Sequence, residues 1–186
     1  MPYAPVRRVL PHEYSKYRAH LKSLDQESRT FRFAAPVSDT VIDNLCDKFE
    51  ADSDKHILFA IENRKLEFIA VGHISLDGEM ELAFSVIKRH QGRGFGTLLM
   101  QRCIQWCRTH GVLKGCMICL SSNATIRHLC RKHGIAVEND HGESMADILL
   151  PPAGMDTFIS ETIDNNLSTI DYFAKRAKNN LLFLSN

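Results

Sequence analysis

Three glycines alternate at Gly92, Gly94 and Gly96 in the stretch RHQGRGFGTLLMQRCIQWCRTHG (residues 89–111), directly ahead of a smooth helical pattern. Glycine costs chain entropy and is kept where a side chain would obstruct an approach to the backbone. The first amides of a helix have no intrahelical acceptor and sit at the positive end of its dipole, so the expected occupant is an anion such as a phosphate. Lys88, Arg89 and Arg93 add full positive charge beside it. Spacing excludes two better-known phosphate loops. A P-loop needs Lys-Ser/Thr after its last glycine, where this chain has Thr97 and Leu98. A dinucleotide fingerprint needs G-x-G-x-x-G after a βαβ strand, whereas here G-x-G-x-G follows strands that read as antiparallel.

Upstream of the glycines, MELAFSV (80–86) alternates with period two. Glu81, Ala83 and Ser85 share one face, and Leu82, Phe84 and Val86 the other. The carboxylate's own face is otherwise small, a floor on which a thin ligand can lie. At about 3.3 Å per residue, Glu81 to Ile87 spans roughly 20 Å, so one extended molecule reaches from the glycine loop to the carboxylate.

The elements that must position these residues are legible in outline. VRRVLP can open as a strand, and HEYSKYRAHLKSL and SDTVIDNLCDKFE have helical spacing, the second capped by Ser38. Strand patterns follow at 56–62, 67–76 and 80–88, with short turns between them that predict antiparallel neighbours. Gly96 to His110 reads as a helix with Gly96, Leu99, Met100, Cys103 and Cys107 inward and Gln101, Arg102, Gln105, Arg108 and Thr109 outward, stopped by Gly111. GCMICLSS is apolar enough for a strand covered on both faces. Asn123 or Ser122 caps a second helix carrying Ile126, Leu129 and Cys130 inward, and IAVEN and SMADILL close the sheet. After Pro151-Pro152, a stripe of Ile159, Ile163, Leu167, Ile170, Phe173, Ala174 and Ala177 predicts an amphipathic helix that docks on its own domain or on another subunit.

Gln91-Gly92-Arg93-Gly94-Phe95-Gly96 resembles the Q/R-x-x-G-x-G/A motif of the Gcn5-related N-acetyltransferase (GNAT) superfamily, and the order of elements from about Val6 to Leu150 is similar to that family's. Asn123, Leu129 and Gly134 resemble its N-x-x-A-x-x-L-Y-x-x-x-G-F stretch. The resemblance implies an α/β (α+β) fold, with a mixed, mostly antiparallel sheet of about seven strands flanked by about four helices, plus a C-terminal helix. It implies a GNAT acetyltransferase domain over 1–152 and an amphipathic extension over 153–186. Acetyl-CoA is the implied co-substrate, contacted by Phe84, Ser85, Val86, Gln91, Gly92, Arg93, Gly94, Phe95, Gly96, Thr97 and Asn123, and a primary amine is the acceptor. LDQESRTFRF resembles the S-x-E-S-R-x-x-R-F segment of bacterial protein lysine acetyltransferases, which sets Ser28, Arg29, Arg32 and Phe33 near the acceptor; a capped helix end with solvated arginines is the other reading. A protein lysine is therefore the preferred acceptor, and a polyamine, amino acid or drug-like amine the next.

An amine of pKa near 10.4 must lose a proton before it attacks a thioester. The resemblance implies that Glu81 occupies the position of the lysine acetyltransferases' general base, acting directly or through water; the plainer reading is an exposed carboxylate at a strand start. The resemblance also implies that the fourth and fifth strands splay, freeing an amide near Phe84 or Ser85 to stabilise an oxyanion. Seven residues beyond Asn123, where many relatives carry a proton-donating tyrosine, stands Cys130. Cys130 is either a short-reaching general acid or a core residue, with water as the donor in the second case.

Composition bounds the rest. With 186 residues, 44% apolar and 24% charged, the chain suits one domain, without an apolar run of membrane-spanning length. MPYAPVRRVLPHEY lacks the apolar block of a secretory signal, so a cytoplasmic protein with reduced cysteines is expected. The six cysteines lie in apolar segments at spacings that do not converge four ligands, so no metal is expected. No acid lies between Glu81 and Glu138, an interval holding nine Lys or Arg. Elsewhere 14 Lys and Arg face all 22 acids, a balance of −8, so one region is expected to meet an anion or to be a solvated face. Only Trp106 and Phe95 lie among those cations, too few for a base-stacking platform, so nucleic acid is not the expected partner; a homodimer is possible. A non-catalytic acyl-CoA sensor is the remaining alternative to an enzyme.

Overall fold

The computed structural model describes residues 4–140 and 143–184. Its centre is a seven-stranded sheet made of β1 (Arg7–Arg8), β2 (His56–Glu62), β3 (Phe68–Ser75), β4 (Met80–Val86), β5 (Lys114–Leu120), β6 (Glu138–Asp140) and β7 (Glu143–Leu149), in the order β1-β2-β3-β4-β5-β7-β6. All pairs are antiparallel except β4–β5. The helices are α1 (Tyr14–Lys22), α2 (Gln26–Phe33), α3 (Asp39–Ala51), α4 (Phe95–Thr109), α5 (Ala124–Lys132) and α6 (Met155–Leu184). Asp25, Ser38 and Asn123 cap α2, α3 and α5 by accepting the amides of Ser28, Val41 and Ile126.

Period-two alternation splits the core between the two faces of the sheet. Leu58, Ala60 and Val71 pack under Tyr17, Leu21 and Ile42 of α1 and α3. Ile57, Phe59, Ile74 and Leu82 pack under Leu99, Met100 and Cys103 of α4, with Leu129 and Cys130 of α5 joining that cluster. All six cysteines are free and buried.

Two expectations change. The segment 26–33 is a helix of its own, lying over β4 and β5, so five helices flank the sheet besides α6. Arg102, placed by helical spacing on the wet side of α4, is only 4% exposed. Its guanidinium lies 4.9 Å from the Phe59 ring and donates to Glu161 (3.2 Å) and Asn165 (2.5 Å) of α6. Lys175 and Asn179 further along α6 donate to the carbonyls of Glu62 and Arg64, so this helix docks on its own domain through its polar side.

Candidate active site

β4 and β5 are in register only at Met80↔Gly115 and Glu81↔Cys116. That contact requires the glycine, because a Cβ at Gly115 would run into the Met80 carbonyl oxygen and lie 2.7 Å from Met80 Cε. Beyond it the two strands part. Ile87 N–H donates to Ile69 of β3 (3.0 Å), so odd-numbered β4 residues turn their backbone groups to β3 and even-numbered ones turn toward β5. The Phe84 and Val86 N–H groups therefore face the opening rather than a ladder partner. Val86 O also faces it and accepts Gln91 Nε2 at 3.1 Å.

At the closed end of this opening, register sets Glu81, Cys116 and Asp147 side by side on one face of the sheet. Glu81 is half-buried and has no hydrogen-bond or ion-pair partner among the described residues. Burial, and after it the charges of Glu81, Glu79 and Asp147, push the Cys116 thiol pKa upward. Two positions along the same face, Ile118 pairs with Met145, and both are exposed. The floor next to Glu81 is thus acidic on one side and apolar on the other.

At the open end stands the glycine loop. Gly92 (φ 73°) and Gly94 (φ 80°) occupy the left-handed region that favours glycine, and no side chain caps α4. The first intrahelical bond at this end runs from Leu98 N–H to Gly94 O, so the amides of Phe95, Gly96 and Thr97 precede it and point outward. Arg89 and Arg93 have no carboxylate partner among the described residues. An uncapped helix start, positive-φ glycines and arginines without a carboxylate partner among the described residues fit a coenzyme's diphosphate. Lys88 is otherwise engaged, with Asp25 (3.0 Å) and Glu27 (3.2 Å). With Arg102 buried and Arg108 donating to the carbonyls of Pro151 and Pro152, the nine cations of the basic interval do not form one surface.

Helix α2 is tied to the loop and the floor at once. Gln91 Nε2 donates to Ser28 Oγ at 3.1 Å. Arg29 staples α1 to α3 by reaching Lys22 O, Val37 O and Asp39. Arg32 stacks on Phe33 at 4.9 Å and donates to Tyr17 Oη and His73 Nδ1, each at 3.0 Å. Because Arg32 only donates, His73 must donate through Nε2 to His56 Nδ1 (3.1 Å), and His56 Nε2 is then a buried N–H without a partner among the described residues. None of these histidine contacts has a signature in sequence spacing.

Three anticipated site residues sit differently. Ser85 is 6% exposed; its amide turns to β3 and its hydroxyl donates to His20 Nε2 (2.8 Å), since His20 Nδ1–H is used on Phe68 O (2.9 Å). Full burial holds His20 near pKa 4, hence neutral at pH 7. Cys130 of α5 is wholly buried in the core beneath the sheet, and burial pushes its thiol up to about 11, which supports the core reading over that of a proton donor. Asn123 spends its Oδ1 on capping Ile126 N–H (3.1 Å), leaving its NH₂ for other work. Asp147, Ile118 and Met145 had not been singled out; a glycine within an apolar strand, Gly115, was the one available sign of where the strands touch.

A model of the acetyltransferase (GNAT) family matches residues 19–135. Solved structures of the same fold include the GNAT domain of S. lividans PAT, at 21% identity and TM-score 0.66, covering 79% of this chain and 90% of that one. Another is spermidine N-acetyltransferase from Vibrio cholerae in complex with CoA and spermine, at 16% identity and TM-score 0.59, covering 78% and 93%. A third is a cAMP-binding acyltransferase from Mycobacterium smegmatis, at 22% identity and TM-score 0.56, where 89% of this chain covers 51% of a longer one.

Proposed function

The chain belongs to the acetyltransferase (GNAT) family and is an N-acetyltransferase, and on that footing we propose that it carries an acetyl group from acetyl-CoA to the side-chain amine of a protein lysine. The observation that carries this reading is the parting of β4 from β5 just beyond Glu81, which joins a free carboxylate to an uncapped helix start by a lane of free amides.

Bound acetyl-CoA supplies the activated acyl group. The Gly92–Gly96 loop, the amides of Phe95, Gly96 and Thr97, and Arg89 and Arg93 hold the diphosphate. The Val86 and Phe84 backbone groups line the arm, and Phe84 N–H is directed to where negative charge develops on the carbonyl oxygen. Glu81 accepts the proton that the acceptor ammonium must lose, directly or through one water. No acyl-enzyme is required: the amine attacks in a ternary complex, and as the C–S bond breaks, the proton that the new amide nitrogen sheds passes through water to the departing sulfur.

Acceptor chemistry follows from the floor. Glu79, Glu81 and Asp147 surround Cys116 and favour a cationic amine, while exposed Ile118 and Met145 suit the aliphatic stem of a lysine. α2 supports the same choice, since its likeness to the lysine acetyltransferase segment extends to Ser28, which holds the loop's Gln91. The decisive experiment incubates the protein with acetyl-CoA and a cell extract and identifies products by mass spectrometry. Acetyl-lysine in the protein fraction is expected, and acetylation confined to polyamines or other small amines would reassign the acceptor.

No helix among the described residues is long and apolar enough to cross a membrane. We place the reaction in the cytoplasm, where acetyl-CoA and reduced thiols coexist.

A further inference from the structure

Helix α6 is inverted. Thr157 and Ser168 are buried, Glu161 and Asn165 hold Arg102, and Lys175 and Asn179 reach the domain, so the polar side faces inward. The opposite side exposes Ile159 (56%), Ile163 (52%), Leu167 (42%), Ile170 (66%) and Leu181 (68%). At about 1.5 Å per residue the strip from Ile159 to Leu181 is roughly 33 Å long, and a continuous apolar surface of that extent marks an interaction face.

We propose that this face is covered by α6 of a second copy of the chain, running antiparallel, to form a homodimer. Spacing and charge both select that occupant. From Ile163 the strip steps through Leu167, Ile170, Ala174, Ala177 and Leu181 in alternate intervals of four and three, the heptad seam of two packed helices. An antiparallel pair centred at Tyr172 sets Ile163 against the partner's Leu181, Leu167 against the partner's Ala177 and Ile170 against the partner's Ala174. Large residues thus meet small ones where the helices approach most closely. The acids of α6, Asp156, Glu161, Asp164 and Asp171, all precede its bases, Lys175, Arg176 and Lys178. Glu161, Asp171 and Lys175 are engaged within their own chain, which leaves exposed acids at Asp156 and Asp164 and exposed bases at Arg176 and Lys178; antiparallel pairing brings Asp164 beside the partner's Lys178, whereas parallel pairing opposes like charges. A lipid surface is disfavoured, because exposed Asp156 and Asp164 offset exposed Arg176 and Lys178 on this helix, and anionic headgroups reward an excess of bases. α6 packs on β1 and α4, whereas the strands that open at the active site are β4 and β5.

Sedimentation of the full chain tests this. The wild type is expected to run at twice the 21.1 kDa chain mass at micromolar concentration. Ile163→Glu/Ile170→Glu, at positions already facing water in one chain, is expected to keep the circular dichroism spectrum and weaken association by at least about 30-fold. Asp164→Lys alone should weaken it about 3- to 10-fold, and Asp164→Lys/Lys178→Asp should restore it. A monomeric wild type, a dimer indifferent to the double glutamate variant, a charge swap that fails to restore pairing, or a monomer that instead binds phosphatidylcholine–phosphatidylserine vesicles would each overturn the proposal.

Discussion

Glu81 and Cys116 are the last residues at which β4 and β5 stay in register. The free carboxylate therefore stands at the apex of the opening, where an arm laid between the strands from the glycine loop must end. The relation depends on Gly115, whose missing side chain lets β5 reach Met80. Gly115→Val is expected to lower stability by about 1–3 kcal/mol through overpacking. It should also reduce turnover more than a surface change of equal stability cost; urea titration and initial rates check both.

At the other end, Gly94→Ala forces a side chain into the left-handed region, at about 1–2 kcal/mol. The expected result is a CoA dissociation constant raised about tenfold or more, measured by calorimetry, with a folded spectrum retained. Unchanged affinity would detach the loop from the diphosphate.

His20 makes stability depend on pH. Its folded pKa, about 4, lies below the ordinary histidine value of 6.5, so the unfolded chain binds the extra proton first. The stabilisation is fully present above pH 6.5 and is lost as pH falls toward 4. Lowering pH from 7.5 to 5 should cost about 2 kcal/mol from this group. Burial lowers the pKa values of His56 and His73 as well, in the same direction. His20→Gln is expected to flatten the slope of urea midpoint against pH over this window.

The anchoring of α6 rests on Arg102. Arg102→Ala removes a buried guanidinium and strands Glu161, at about 3–5 kcal/mol by the cost of breaking a buried pair. Hydrogen exchange should show α6 amides losing protection while those of β2 and β3 keep theirs.

How far the sequence carries is clear at particular residues. β2 falls on the predicted 56–62, and α4 starts one residue before the expected Gly96, because in both cases burial and periodicity agree. α2 escaped because it is eight residues long and buries none of them fully, so there is no apolar stripe to detect. The stripe of α6 was legible but not its direction, since the polar grip of Arg102 on Glu161 and Asn165 decides which side faces inward. At the proposed site, alternation and spacing point to Glu81 and the loop glycines. Asp147 could not, because its place beside Cys116 arises from β5–β7 pairing, a contact distant along the chain.

The central claim is that Glu81 takes the acceptor's proton. Glu81→Gln keeps the side chain's size and removes its basicity, so the most direct measurement is its rate of thiol release from acetyl-CoA with a lysine peptide, alongside CoA binding by calorimetry. The account predicts a kcat lower by about 100-fold or more with CoA affinity within about threefold of wild type. A kcat equal to wild type at the same affinity would contradict it.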